Sequence, residues 1–168
     1  KNPATLREQI IGGGQEGGMR GGTQHYLGYE TLAVALSAFE QTKNKLTELA
    51  NKRNEFEQKL KKIFPSIIIL GEESKRLAGT TLIAYPGLHG QAIQIELESN
   101  NIFVTTSSAC SDNEPATSKV LKAMSVKDDI GRAVVRISLC HNSPLEYYDE
   151  IFNNLSKAYK KLAQIKNF

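Results

Sequence analysis

An apolar stripe runs through the first half of the chain at Leu32, Leu36, Phe39, Leu46, Leu49, Phe56, Leu60 and Ile63. Its steps of 4, 3, 7, 3, 7, 4 and 3 residues hold one face of an α-helix. From His25 to Phe64 there is no proline and Gly28 is the only glycine, so the pattern predicts one long helix over 26–64, stopped by Pro65. The texture then changes. "SIIILG" and "TTLIAYP" read as short strands bounded by Gly, Pro and polar residues. "GQAIQIELESNN" reads as a helix, and "IFVTTSSAC" as a strand that dissolves into small polar residues. "TSKVLKAM" reads as a short helix, "AVVRISL" as a strand and "SPLEYYDEIFNNLSKAYKKLAQI" as a closing helix. That last helix is expected to open on Ser143 as cap, Pro144 in the first turn and Glu146 three residues after Ser143. A long helix followed by β-β-α-β-α-β-α predicts a two-layer α/β sandwich, with helices on one face of a small mixed sheet.

The 168 residues suffice for one core. A chain of this length buries roughly 70% of its unfolded surface and needs no disulfide or metal staple. With 21 basic and 18 acidic residues the net charge is +3, which gives no reason to expect a nucleic-acid partner. The cluster Lys59-Leu60-Lys61-Lys62 reads as a solvated helix face. No apolar run approaches the ~20 residues of a bilayer span, so no membrane partner is expected. "KNPATLREQ" resembles neither a signal nor a transit peptide. Two cysteines thirty residues apart, without a C-x-x-C pair, are expected to be free thiols in a reducing cytoplasm.

Three stretches could carry chemistry. "GGGQEGGMRGGT" packs seven glycines into residues 12–22. Gly12, Gly14 and Gly17 match the G-x-G-x-x-G dinucleotide pattern, but no good strand precedes them, and no lysine follows Gly17 as a phosphate-binding Walker loop requires. A flexible linker is one reading. Against it, a plain spacer has no need of Glu16, Met19, Arg20 and Thr23. Glycines let backbone N–H groups turn toward an anion, and Thr23 adds a hydroxyl at a helix start, which favours an oxyanion such as phosphate.

The second stretch surrounds Cys110. A free cysteine is usually a buried core residue. Here Thr105–Ser108 and Ser111–Glu114 are small or polar, so the thiol is expected to be accessible and its loop easily opened. Cys140 ends an apolar strand and is expected to be the more covered thiol. The nearest base to Cys110 is Lys119, while Asp112 and Glu114 oppose ionisation, so any activation comes from elsewhere. His25, His89 and His141 stand in no recognisable relation to it, and Cys140-His141 lacks companions at ligand spacing, so no metal is expected. The third stretch places Arg136 on a strand, sharing a face with Val134 and Ser138. It is either a surface arginine or a planar fork aimed at a carboxylate.

Together these stretches resemble the cysteine desulfurases, class V pyridoxal-phosphate enzymes of the aminotransferase superfamily. "GGGQEGGMRGGT" is similar to their glycine loop, "SSACS" with "SKVLKAM" to their catalytic-cysteine loop and following helix, and "VRISL" to the strand bearing their substrate arginine. The order and spacing agree over nearly the whole chain. Two details depart from the pattern: the family's Gly-Ser-Ala-Cys is here Ser107-Ser108-Ala109-Cys110, and the following Glu-Pro lies closer to the cysteine.

The resemblance implies the C-terminal small domain of a fold-type I enzyme. Residues 1–25 would then be a remnant of the large cofactor domain, 26–64 a connecting helix and 65–168 the α/β domain. It implies removal of sulfur from L-cysteine, leaving L-alanine, with the sulfur held as a persulfide on Cys110. Thr23 would reach the cofactor phosphate of a homodimer partner and Arg136 would hold the substrate carboxylate. The acceptor would be an iron–sulfur scaffold or a tRNA-thiolating enzyme. The lysine that binds pyridoxal phosphate lies upstream of the glycine loop in that family, and Lys1, beside Asn2-Pro3, lacks its context. The chain alone is therefore expected to be inactive. A class V aminotransferase with an incidental Cys110, and a non-catalytic sulfur carrier, are the alternatives.

Overall fold

The computed structural model describes residues 7–106 and 117–165. It divides into two units, Lys1–Gln41 and Thr42–Phe168. The first holds the glycine-rich stretch and all but the last residue of helix α1 (Tyr26–Thr42), none of whose residues is buried. The second holds α2 (Lys45–Ile63), β1 (Ile68–Ile69), β2 (Thr80–Ala84), α3 (Gly90–Glu98), β3 (Thr105–Thr106), α4 (Lys119–Ala123), α5 (Asp128–Gly131), β4 (Val134–Ser138) and α6 (Tyr147–Ile165).

The single helix expected over 26–64 is two. The break falls at Lys43–Asn44, inside the seven-residue gap that separates Phe39 from Leu46 in the apolar stripe. That turn has no apolar side chain to bury, and asparagine is a weak helix former. The backbone bonds there span three residues, from Leu46 N–H to the Lys43 carbonyl at 3.0 Å and from Thr47 N–H to Asn44 at 3.3 Å.

The α/β order expected from the pattern is present, with the short α5 added. The sheet runs β1-β2-β4-β3, and every described pairing is antiparallel, where a mixed sheet was expected. Each of β2 and β3 runs antiparallel to β4, so the two run in the same direction, joined through α3. They would make a parallel pair if adjacent. Instead β4 enters between them, the split form of a β-α-β unit.

One sheet face carries Ile69, Ile83, Val135 and Ile137. It packs with Leu49, Phe56 and Leu60 of α2, Ile93 and Leu97 of α3, and Tyr148, Ile151 and Leu155 of α6. The Phe56 ring lies 5.2 Å from Tyr148 and 6.5 Å from Phe152, which joins α2 to α6. The opposite face, expected to be bare of helices, has a smaller cover at one end. There Ala84 and Val134 pack with Leu121 of α4, joined by Leu70, Leu82, Val126 and Ile130.

The closing helix starts at Tyr147, later than its cap signals suggest. Ser143 does not cap it: its hydroxyl accepts from the Cys140 N–H at 3.1 Å. Residues 144–147 form turns whose bonds span three residues, such as Tyr147 N–H to the Pro144 carbonyl at 3.3 Å. The serine's oxygen satisfies the strand-to-helix turn instead, the local competition expected of a short polar side chain.

A buried charge cluster ties the connection between β1 and β2 to α2. Glu57 is 3% exposed and receives both terminal nitrogens of Arg76, at 2.6 and 2.9 Å. Arg53 lies beside it, with Nε 3.8 Å from the carboxylate, and donates to the Leu77 carbonyl at 2.7 Å and to Asn54 at 2.8 Å. The hydrogen bonds it donates to Glu57 raise Arg76 above its ordinary value, while burial and then the Arg76 charge lower Arg53. One buried carboxylate thus stands against two guanidiniums, and removing it leaves both uncompensated. Glu57→Ala should destabilise the chain by about 3–5 kcal/mol in urea unfolding, the range for breaking a buried pair. A loss under about 1 kcal/mol would place the cluster with surface pairs.

Candidate active site

The glycine-rich stretch folds back on itself. Ile10 and Arg20 form a parallel bridge, and Gly21 N–H donates to the Ile10 carbonyl at 2.8 Å. A Cβ on Gly21 would collide with the Gly12 carbonyl, so this close approach requires glycine. Gly12, Gly13, Gly17, Gly18 and Gly22 have positive φ, as does Glu16 at 51°. Arg20 turns inward, donating to the Thr23 carbonyl at 2.8 Å and to Gly22 at 3.3 Å. Its guanidinium therefore orients the chain just ahead of α1. Thr23 is exposed, three residues before Tyr26, and among the described residues its hydroxyl has no hydrogen-bond partner. That is a fitting donor for a phosphate oxygen. Residues 7–41, the described part of this unit, contain no lysine, so they offer a cofactor a hydroxyl but no amine.

Arg136 lies in the second unit. Its strand shows the expected alternation: Val135 and Ile137 are buried toward α2, α3 and α6, while Arg136 and Ser138 are exposed on the other face. Val134 shares that face but lies under Leu121. In register, Arg136 stands opposite Leu82 of β2 and Thr105 of β3. Beside it the Thr80 hydroxyl donates to Ser138 at 3.3 Å. Arg136 has no acidic partner among the described residues. An unpaired fork rising from a rigid central strand is suited to receive a ligand carboxylate.

Cys110 lies outside the described residues, but both flanks of its segment are placed. The chain enters from Thr106, which pairs with Val135, one position from the Thr105–Arg136 pair. It returns at Thr117, which is 4% exposed and donates its hydroxyl to the Asp128 carbonyl at 3.3 Å. A Cβ on Gly131 would overlap the Thr117 side chain, so the end of α5 admits only glycine against this anchor. Ser118 then caps α4, accepting from Leu121 N–H at 3.2 Å. The importance of Thr105, Thr117 and Gly131 was not legible in the residue types. Strand pairing and close packing give them their roles, and the only sequence signal was the alternation through Arg136.

Cys140 is exposed, because it falls after β4 has ended and the chain has turned; the comparison expected with Cys110 lies outside the described residues. Its sulfur lies 3.3 Å from the Ser143 hydroxyl, which lowers the thiol below its ordinary value, with help from the Asn142 and Ser143 backbone.

The class-V aminotransferase family model matches residues 6–150. The chain is 31% identical to a cysteine desulfurase of Sinorhizobium fredii over 92% of its own length and 40% of that protein's. It is 30% identical to the cysteine desulfurase of Trichormus azollae over 97% of its length and 41% of the relative's. A NifS-like protein from Rickettsia africae superposes with a TM-score of 0.75 at 28% identity, covering 91% of this chain and 40% of that one. The chain thus spans about 40% of the length of the relatives it matches. With the match extending from residue 6, ahead of the glycine-rich stretch, to residue 150 in α6, the chain belongs to the class-V aminotransferase family.

Proposed function

We propose that this chain is the C-terminal portion of a cysteine desulfurase that acts in the cytoplasm as a homodimer and carries sulfur on Cys110. The observation that carries the reading is Arg136, unpaired and exposed, in register with the strand that leads into the Cys110 segment. The similarity to curated desulfurases over more than nine-tenths of the chain supports it.

Arg136 binds the carboxylate of L-cysteine through its planar fork and orients the substrate thiol toward Cys110. Thr23 donates its hydroxyl to the phosphate of pyridoxal 5'-phosphate in the partner subunit, and Arg20 holds the Thr23 backbone in place. When bound, pyridoxal phosphate supplies the electron sink that makes the substrate's Cβ–S bond breakable. The Cys110 thiolate attacks the substrate sulfur. A new S–S bond forms, the Cβ–S pair goes to carbon, and a proton completes the methyl group. The balance is L-cysteine plus a thiol giving L-alanine plus a persulfide, with no external oxidant. The persulfide then passes to a sulfur acceptor such as an iron–sulfur scaffold or a tRNA-thiolating enzyme.

A chimera tests this, with the chain replacing the matched portion of the Sinorhizobium fredii enzyme. Supplied with L-cysteine it should release alanine, and absence of alanine would sink the desulfurase reading. Cys110→Ser should abolish turnover and the persulfide mass; an unchanged rate would remove Cys110 from its role. Arg136→Leu should raise KM for L-cysteine by about 10- to 100-fold, the worth of charge-assisted hydrogen bonds to one carboxylate.

The exposed second thiol must be separated from the first. Cys140 should label with a maleimide in the folded chain, at a rate that rises with its thiolate fraction. Its lowered pKa moves that rise to lower pH than for an ordinary thiol. Ser143→Ala removes the first cause of the lowering and should move the midpoint of the rate–pH curve upward. A midpoint that does not move would show that the hydroxyl has no hold on the thiolate.

A further inference from the structure

The sheet face that carries Arg136 is divided along its length. At one end Ala84 and Val134 pack under Leu121 of α4, joined by Leu82. At the other end Thr80 stands opposite Ser138, and Thr105 of β3 stands opposite Arg136 itself. Ser138 and Thr105 are exposed, and Thr80 is half-buried. None of the described strands contains an acidic residue. This end therefore offers one guanidinium and three hydroxyls, with no strand carboxylate to occupy them. The hydroxyls differ in what each has left to give. Thr80 donates its proton to Ser138 at 3.3 Å. A serine hydroxyl has one proton and two acceptor sites. Ser138 uses an acceptor site in that bond and keeps its proton, for which no acceptor stands among the described residues. Accepting a hydrogen bond also polarises the O–H and makes it a better donor. A cross-strand Thr–Ser pair alone serves to stabilise a sheet. This one differs in holding a free proton beside an unpaired guanidinium.

We propose that Ser138 is a second binding residue for the ligand carboxylate, donating its hydroxyl to the group that Arg136 grips, and that Thr80 is a positioning residue acting through Ser138. Arg136 and Ser138 are successive residues on one strand face, about 7 Å apart along β4. The arginine stem can lie along that distance and bring its planar fork beside the serine. An ionised carboxylate has about four acceptor sites, so a fork that fills two of them leaves room for a hydroxyl. Thr80 fixes the polarity of the arrangement: while it donates to Ser138, the serine proton is the one turned to the ligand. The apolar end under Leu121 has no donor to offer, so the carboxylate is held toward Ser138 rather than toward Val134. The inference rests on the reading of Arg136 as the residue that takes the substrate carboxylate.

The test is an NMR titration of the full 168-residue chain with sodium acetate, read at the Arg136 Nε–H. Sodium chloride is exchanged for acetate so that ionic strength stays fixed, and the signal is assigned by its loss in Arg136→Leu. Acetate should shift it to saturation. Ser138→Ala should weaken acetate binding about 3- to 10-fold, the worth of one hydrogen bond. Ser138→Thr keeps the hydroxyl and should restore most of the affinity. Thr80→Val should weaken binding less than Ser138→Ala does, and should add nothing in the Ser138→Ala background, because its effect passes through the serine. In the chimera with the Sinorhizobium fredii enzyme, Ser138→Ala should raise KM for L-cysteine more than it lowers kcat, as loss of a ground-state contact does. Acetate binding unchanged by Ser138→Ala would overturn the inference and leave the carboxylate role of Arg136 standing. Additive effects of Thr80→Val and Ser138→Ala would overturn the role given to Thr80. No saturating shift in the unsubstituted chain would sink the reading of Arg136 and the inference with it. A chimera that makes no alanine bears on the desulfurase reading alone, and the titration still decides the role of Ser138.

Discussion

Val134–Ser138 is the strand on which the other elements depend, because β4 is bonded on both sides by strands that run against it. That pairing aligns Leu82, Arg136 and Thr105 across three strands on one face, and Ile83, Val135 and Thr106 on the other. Side chains alternate strictly along a strand, so a slip of one residue would exchange the faces. Arg136 would then enter the apolar layer beneath α2, α3 and α6, while Val135 and Ile137 went to water. Both changes are expensive: an unpaired buried charge on one side, lost apolar burial on the other. The register that protects the core is thus the same register that presents the arginine.

The same pairing sets where residues 107–116 begin. β3 is only two residues long, and β4 is its strand partner at the edge of the described sheet. The other end is held differently, by Thr117 wedged against Gly131 and bonded to the Asp128 carbonyl. One anchor is a sheet edge and the other a packed turn between short helices.

Much of the second unit was legible because short strands and amphipathic helices leave different periods in the residues. The alternation at 133–139 correctly placed Arg136 with Ser138 on the polar face. The mixed sheet was misread because a β-α-β order normally signals parallel neighbours, and nothing local to Thr80–Ala84 or Thr105–Thr106 reports that a later strand will enter between them. The start of α6 was misread because Ser143 and Pro144 carry strong helix-start chemistry, yet the serine's oxygen was taken by the Cys140 N–H. The exposure of Cys140 has a related reason. Hydrophobic neighbours in sequence mark a covered position only while the strand lasts, and β4 ends at Ser138. The glycine-rich stretch was better read from its exceptions. Gly21 is required by a backbone approach, whereas Arg20, a natural candidate for an anion, holds its own chain.

The apolar stripe from Leu32 to Ile63 shows the limit of periodicity as evidence. Its phase continues across Lys43–Asn44, yet Leu49, Phe56 and Leu60 of that stripe are buried in α2 while no residue of α1 is. Periodicity reports which face of a helix seeks cover, and is silent on whether the cover lies in the same chain. The remaining positions carry that information. In α2 they are mostly Lys, Glu, Asn and Gln, so water satisfies the outer face and one core suffices. In α1 half of them are Ala, Val, Leu or Tyr and only Glu30 and Glu40 are charged, so its outer face is less polar than that of α2. Both helices obey the same stripe, and what differs between them is the composition between its members, mostly charged or amide in α2 and half apolar in α1.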